Sequence, residues 1–420
     1  MNLIPEIEFD QGLGLSLRHH LHAHPELGYE VHQTSAFVAA NLRKWGIEVT
    51  EGVGRTGLVG TLRSGASRHA IGLRADMDAL PIEEINTFAY RSKTPGVMHA
   101  CGHDGHTAML LAAAHYLSKH RNFDGIVQFI FQPAEEGGAG AAEMIKDGLF
   151  ERFAVDAVFG VHNWPGLPAG SIGLRTGAVM ASSNRFKLVI EGTGCHAAMP
   201  HVGSDALLAS AQIVTALQSI ISRNTDPLDS AVLSVTQIHA GDSDNVVANQ
   251  AILRGTVRTF AEATTDLIEE KMRTIASSIA QALGCSARLE FMRKYPPTVN
   301  TAPEVDFATE VAASVVGEEN LLRNVTPTMA SEDFSFMLRE RPGCYAFIGN
   351  GDGAHRGRGH GHGPCELHNA SYDFNDALLP IGASYFVRMV ERFLPRNKGV
   401  TAIMRVRRAE QEHDQDQETQ

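Results

Sequence analysis

The apolar positions of this chain keep two different periods. "TSAFVAANLRKWG" (34–46) places apolar residues at helical spacing, and Gly46 stops the helix. "HAIGLRA" (69–75), "GIVQFIFQ" (125–132) and "AVDAVFGVH" (154–162) are short apolar runs that read as buried strands, with a helix starting after residue 105. Strand, helix and strand in repetition predict an α/β domain with a mixed, largely parallel sheet flanked by helices.

From about residue 183 the pattern changes. "NRFKLVIEG" (184–192), "AVLSVTQIHA" (231–240), "AILRGTVRTF" (251–260) and "ARLEFMRKY" (287–295) read as strands. "SDALLASAQIVTALQSIIS" (204–222) and "TTDLIEEKMRTIASSIAQALG" (264–284) read as helices. The order βαββαβ is that of a ferredoxin-like unit, here inserted into the first domain. The chain returns to that domain with 305–317 and a helix over 376–394. The expected domains are 1–182 with 296–395, and 183–295. A polar tail, 396–420, lacks apolar anchors and is expected to be disordered.

Composition narrows the function. A formal net charge of −12 argues against nucleic-acid binding, which needs a basic face. Neither a signal peptide nor an apolar run long enough to span a bilayer is expected. The five cysteines are odd in number and far apart, unlike a disulfide framework, so the cytoplasm is the expected compartment. The twenty histidines gather near 19–24, 99–106 and 355–368.

The chemistry lies where the strands end, because ligands of open α/β sheets sit at the carboxyl ends of the strands. Asp76 and Asp78 follow the first strand, Glu135 and Glu136 the second, and His162 closes the third. "MHACGHDGHTAML" (98–110) puts Cys101 and His103 just before the next helix. Taken singly, each has a plain reading: a core cysteine, a solvated Glu pair, a hydrogen-bonded loop histidine. Together on one rim, the carboxylates would repel unless a cation neutralised them. Thiolate and imidazole favour zinc or its neighbours, and carboxylates also suit manganese. There are too many donors for one tetrahedral ion, so two ions that hold and activate a water are expected. One glutamate of the pair would bind metal and its neighbour would act as general base, which points to hydrolysis.

These residues resemble the di-metal amidohydrolases of the aminoacylase and glutamate-carboxypeptidase type, in the branch of hippurate hydrolase and the plant indoleacetyl-amino-acid hydrolases. The resemblance runs in order through "LHAHPELGYE" (21–30), "LRADMDALPIEE" (73–84), "MHACGHDGHTAML", "FQPAEEGGAGA" (131–141), "GVHNWPG" (160–166), "GTGCHAAMPH" (192–201), "GTVRTF" (255–260), "SEDFSFML" (331–338) and "LHNASYDFND" (367–376). It implies Cys101, His103, Glu136, His162 and His368 as ligands of two divalent ions, manganese or zinc with cobalt or nickel as alternatives. It implies Glu135 as the base. Asp104 and His106 would orient the loop, and His99 would be structural. Asp76 and Asp78 stand where other branches carry a ligand histidine and its supporting aspartate, and are expected behind the ligands. In the insertion, a lid and dimerisation domain by resemblance, His196 would reach the partner subunit's site and stabilise the oxyanion. Arg258 would hold the substrate carboxylate, and Asn245 would line the same site. Cys195 and Ala248 depart from the family's usual Gly and Pro, which leaves the pocket's shape open.

The implied function is hydrolysis of N-acyl amino acids by a homodimer, with a small-molecule substrate and neither nucleic acid nor membrane as partner. An N-acetyl-amino-acid deacetylase or a dipeptidase of the same family is an alternative. A cysteine-nucleophile hydrolase built on Cys101 and His103, which chelators would leave active, and a non-catalytic binding relative are the rival classes.

Overall fold

The computed structural model describes residues 1–396, so the expected disorder beyond them lies outside the described residues. The chain packs as two units. The first comprises Met1–Arg175, Asn300–Val325 and the chain from Met337 onward; the second comprises Thr176–Val299 and Thr326–Phe336. The expected boundaries at 182/183 and 295/296 therefore fall inside the second unit, which also gains a distant segment. Hydrogen bonds to the distant segment account for this. The Ala181 N–H donates to Thr328 O (3.1 Å) and Ala330 O (2.9 Å), and Thr298 Oγ1 donates to Glu332 O (3.3 Å).

The first unit is built on an eight-stranded sheet. Its order is Glu48–Val53, Gly57–Ser64, Gly125–Gln132, Ala70–Asp76, Ala157–Pro165, Gly343–Gly351, Ile172–Leu174, Leu321–Arg323. The four central strands are mutually parallel, and their neighbours on either side join antiparallel. Every residue of Ala70–Asp76 is buried, as expected of a parallel strand covered on both faces. The helices His103–Lys119, Ala302–Val316 and Leu379–Phe393 supply much of that cover, with Leu110, Leu111, Val311 and Val387 fully buried. Each such side chain contributes about 1.5–3 kcal/mol. Gly382 lets the last helix approach His103–Lys119 closely, since a Cβ there would overlap the Met109 sulfur.

Three features differ from the sequence reading. The third strand runs past His162 to Pro165, because Gly343–Gly351 pairs with it in parallel as far as Pro165. His162 thus lies inside a strand. The hairpin Glu48–Val53/Gly57–Ser64 was not expected; its first strand is a largely exposed edge without an apolar signature. The helix Gln11–Ala23 was also unforeseen, because it buries Arg18 and His22 where an apolar stripe would be sought.

The second unit has four antiparallel strands in the order Ala231–Ala240, Gln250–Thr259, Ser183–Glu191, Ser286–Tyr295. That is the strand order of a ferredoxin-like unit. Helix Ala206–Ser219 starts at Asp205, whose carboxylate accepts from the Leu207 (2.9 Å) and Leu208 (3.0 Å) N–H groups, an N-cap. It continues as a wider turn through Ile220–Asn224. Contrary to the sequence reading, Ala206–Asn224 is by length and composition alone apolar enough to cross a membrane. Here its Ala206, Ala209, Ile213, Leu217 and Ile220 row is buried in the unit's core, together with Ile268 and Met272 of helix Glu262–Ala282.

Candidate metal centre

The parallel strands of the first unit deliver their polar residues to one rim. Ala70–Asp76 ends on Asp76, and Asp78 follows. Gly125–Gln132 leads through Pro133 to Glu135 and Glu136, and Ala157–Pro165 carries His162. Cys101 and His103 flank Gly102 at the start of helix His103–Lys119. Gly102 has φ 91°, and a Cβ on it would collide with Asn163 Oδ1 and Tyr372 Oη. Glycine is required there by both conformation and space.

The donor atoms fall into overlapping groups. Cys101, His103 and His162 form one; Cys101, Glu136 and His368 another; His103, Glu135 and Glu136 a third; and Asp76, His103 and His106 a fourth. Within each group one atom per residue lies within 4.8 Å of the others. Cys101 Sγ is 3.4 Å from His162 Nε2, and His368 Nε2 is 3.2 Å from Glu136 Oε1. His368 reaches Glu136 from a residue with φ 62°, a left-handed conformation that costs a non-glycine residue about 1–2 kcal/mol. Its N–H is held by Ala100 O at 2.7 Å. Ala134, just before Glu135, is likewise left-handed (φ 55°), with its N–H on Gly28 O (3.1 Å). Backbone strain of this kind gathers at functional sites.

Behind these donors stands a set of fixed partners. Asp78 accepts from the Glu135 N–H on Oδ1 and from the Glu136 N–H on Oδ2, both at 3.0 Å, while its carbonyl receives His103 Nδ1 at 2.8 Å. Asp76 Oδ1 accepts from His106 Nδ1 (2.7 Å), and its Oδ2 accepts from Arg74 Nη1 (2.7 Å). Arg74 is fully buried and also donates from Nε to Gln132 Oε1 (2.8 Å). The Asn163 N–H donates to His106 Nε2 at 3.0 Å. Asp104 points away from the rim, toward His22. His99 is buried with both ring nitrogens lacking a protein partner.

The electrostatics favour a cation. Burial, then Glu136, Glu135 and Asp76, push the Cys101 thiol well above its ordinary value, so that it ionises only beside positive charge. Burial alone would lower His103, but Asp76, Asp78 and Glu136 outweigh it and raise it to about 10. The spot prefers a positive charge. Burial, with His106 beside it, holds His162 well below its ordinary value and so neutral, the form that binds metal. Asp76 and Glu136 stay below the usual carboxylate range despite burial. His103 and Arg74 hold down Asp76, and His368 and His103 hold down Glu136. His103 Nε2 is buried without a hydrogen-bond partner. An orphaned imidazole nitrogen among thiol and carboxylates is what divalent-metal ligation would satisfy, so these residues fit such a group.

The remaining expected residues belong to the second unit. His196 and Asn245 lie beside each other on the ribbon Cys195–His196/Val246–Val247, where the Ala197 N–H donates to Asn245 O (2.9 Å). His196 is exposed, and its Nδ1 accepts from the Ala198 N–H (3.0 Å), which leaves the ring proton on Nε2. Arg258 is on strand Gln250–Thr259 and donates from Nη1 to Ser331 Oγ (2.9 Å).

Arg18, His22, Arg74, Asn163 and Tyr372 escaped the sequence reading. His22, Arg74, Asn163 and Tyr372 lie within the segments that carry the family resemblance, and the four-residue spacing of Arg18 and His22, one helical turn, links Arg18 to them.

The model of the peptidase family M20/M25/M40 matches residues 72–392. The hippurate hydrolase of Campylobacter jejuni is 44% identical over 394 residues, covering 94% of this chain and all of that one. An N-acetyl-L-cysteine deacetylase of Bacillus subtilis is 38% identical (91% of this chain, 89% of that one), as is an IAA-amino acid hydrolase of Arabidopsis thaliana (92% and 87%). Among solved structures, a putative aminohydrolase from methicillin-resistant Staphylococcus aureus superposes with a TM-score of 0.87 at 31% identity (94% and 100%). A dinuclear metal-binding M20 peptidase of Bacillus subtilis gives 0.79 at 32% (91% and 98%). On this similarity and on the donor set at its strand ends, the chain belongs to the peptidase family M20/M25/M40.

Proposed function

We propose that this chain is a metal-dependent amidohydrolase that cleaves N-acyl amino acids to a carboxylic acid and a free amino acid. One observation carries the reading: two adjacent glutamates are anchored by Asp78 in the midst of thiol and imidazole donors. The relatives named for hippurate, N-acetylcysteine and IAA-amino acids share an acyl group on an amino acid, which supports that substrate class.

In this reading Cys101, His103, Glu136, His162 and His368 hold two divalent ions. The mixed donor set supports manganese or zinc, with cobalt or nickel as alternatives. When bound, such ions polarise the amide carbonyl and make water a nucleophile at neutral pH. Glu135 takes the proton of the attacking water and passes it to the leaving amine. The Nε2–H of His196 stabilises the oxyanion, and the planar guanidinium of Arg258, with Asn245 nearby, holds the substrate carboxylate. Asp78 keeps both glutamates and His103 in place, while Asp76 and His106 brace each other behind them. Asp104 braces the other side.

Glu135→Gln tests the mechanism. Metal content by elemental analysis stays at the wild-type value, and turnover falls by about 10²–10⁴-fold or more. An active variant refutes the base.

The enzyme is a cytoplasmic homodimer that pairs through its second unit, where Met199, Val202, Leu207, Leu208, Ile238 and Val246 are exposed. His196 then acts in the partner's site. Mixing inactive Glu135→Gln and His196→Ala proteins under subunit exchange restores about half of wild-type activity per mixed dimer, since one of two symmetric sites is whole. Proven exchange without activity refutes action in trans.

A further inference from the structure

Two buried basic side chains of the first unit have no part in the chemistry above. Arg18 and His22 lie one turn apart on helix Gln11–Ala23, and both side chains are wholly excluded from solvent. Burying such groups is costly unless several acceptors hold them. Arg18 has four. It donates from Nη1 to Phe374 O (2.7 Å) and from Nη2 to Asp373 Oδ1 (2.8 Å). Its Nε lies 3.0 Å from Asp376 Oδ1 and 3.7 Å from Asp104 Oδ2. His22 donates from Nδ1 to that same Asp104 oxygen at 2.9 Å, and its Nε2 meets Glu84 Oε1 at 3.2 Å. Glu84 is itself fixed by Asn86 Nδ2 (2.9 Å) and the Ser92 N–H (2.6 Å). With both ring nitrogens on carboxylates, His22 has none left for a metal or a substrate.

What these two residues grip is informative. Asp104 directly follows His103, in the first turn of its helix. Asp373 and Phe374 belong to the segment that leaves His368. Asp373 is gripped further by Tyr90 Oη (2.8 Å) and His360 Nε2 (2.9 Å). One short helix therefore ties together two donor-bearing segments that are far apart in the sequence. His368 has a strained backbone and a half-exposed side chain, and the clamp adds to the hold that Ala100 O has on its N–H.

We propose that Arg18 and His22 are positioning residues, a clamp that pins the segments carrying His103 and His368 at the separation the metal ions require. The clamp rests on the metal-centre reading above. It acts on metal affinity and touches neither substrate nor water.

The test measures metal binding itself. Chelated wild-type protein and the Arg18→Lys, His22→Leu and His22→Asn variants are titrated with cobalt(II), followed by calorimetry and by the visible absorption of the ion. Circular dichroism of the metal-free proteins first establishes folding. Lysine keeps the charge of Arg18 but, without the guanidinium fork, cannot bond Asp373 and Phe374 O while staying beside Asp376 and Asp104. Asparagine can donate to Asp104 from nearly the position of His22 Nδ1; leucine cannot. Arg18→Lys and His22→Leu lose about 10–100-fold in affinity for at least one ion, the range for partners standing behind metal ligands. His22→Asn stays close to wild type. At saturating metal kcat recovers and KM is unchanged. Should Arg18→Lys not fold, the two His22 variants decide. The clamp is refuted if the folded variants bind both ions as tightly as wild type, or if asparagine loses as much as leucine. Cys101→Ser and Glu136→Gln serve as controls. If they too bind both ions normally, the metal-centre reading fails and the clamp with it. If they lose metal while the clamp variants do not, the clamp alone fails.

Discussion

Asp78→Asn is a small change with a calculable cost. The native carboxylate accepts two backbone N–H groups, of Glu135 and Glu136, one on each oxygen at 3.0 Å. Asparagine offers one oxygen and one NH₂, so one N–H meets a donor instead of an acceptor. A charge-assisted bond worth about 1.5–3 kcal/mol is lost, and a buried N–H left unsatisfied costs about 1–3 kcal/mol. These overlap in part, and about 2–4 kcal/mol is expected in stability. The carbonyl that receives His103 Nδ1 is untouched, so the ion at His103 is largely retained. What moves is the turn carrying the two glutamates, already strained at Ala134. A displacement of about 1 Å of a catalytic group costs about 10²-fold. Chemical denaturation, elemental analysis and kcat/KM on an N-acyl amino acid measure the three effects. A variant with wild-type kcat/KM and unchanged stability would refute the assignment of Asp78 as the anchor of Glu135.

Besides the Glu135 and subunit-mixing experiments, two outcomes follow. Cys101→Ser lowers metal affinity, because a hydroxyl replaces poorly a thiolate ligand, and excess metal restores part of the activity. A nucleophilic Cys101 would gain nothing from added metal. In the chelated protein, stability falls on both sides of neutrality. Burial alone would lower the pKa of His22, but Asp104 and Glu84 raise it to about 9 against an ordinary 6.5. Its stabilisation is complete below 6.5 and is lost as the pH climbs to about 9. Asp104 and Asp373 are held below their ordinary values despite burial, by His22 and Arg18 in the one case and by Arg18 and His360 in the other. Their stabilisation is present above about pH 4 and is lost as the pH falls. Denaturant titrations across pH show both limbs; His22→Asn removes the alkaline one and also weakens the acidic one, because the His22 charge helps to hold Asp104 down. An alkaline limb of unchanged depth in His22→Asn contradicts the assignment.

The elements and the rim were legible in the sequence because each depends on local pattern. A run such as "GIVQFIFQ" has no polar face, so it must be covered on both sides, and the acidic residues after it must emerge at a strand end. The order of strands and helices over 183–295 is equally local. The hairpin at 48–64 was not legible, because an exposed edge strand needs no apolar face. That Gly343–Gly351 would extend the third strand past His162 also depended on a partner far away in sequence. Tertiary structure alone decided what meets at the rim, Glu136 beside His368 and one Asp78 side chain anchoring both glutamates, and what meets behind it, Arg18 spanning Asp104 and Asp373. The physical reason is that apolar periodicity reports whether a residue faces the core, since burial is roughly additive and non-directional. A hydrogen bond or a metal–ligand pair has direction and a partner, and neither is written at the residue's own position. Nothing in the sequence around Arg18 marks it as buried. Only the fold surrounds it with three carboxylates and a carbonyl, which is what allows a guanidinium to lie where water cannot reach it.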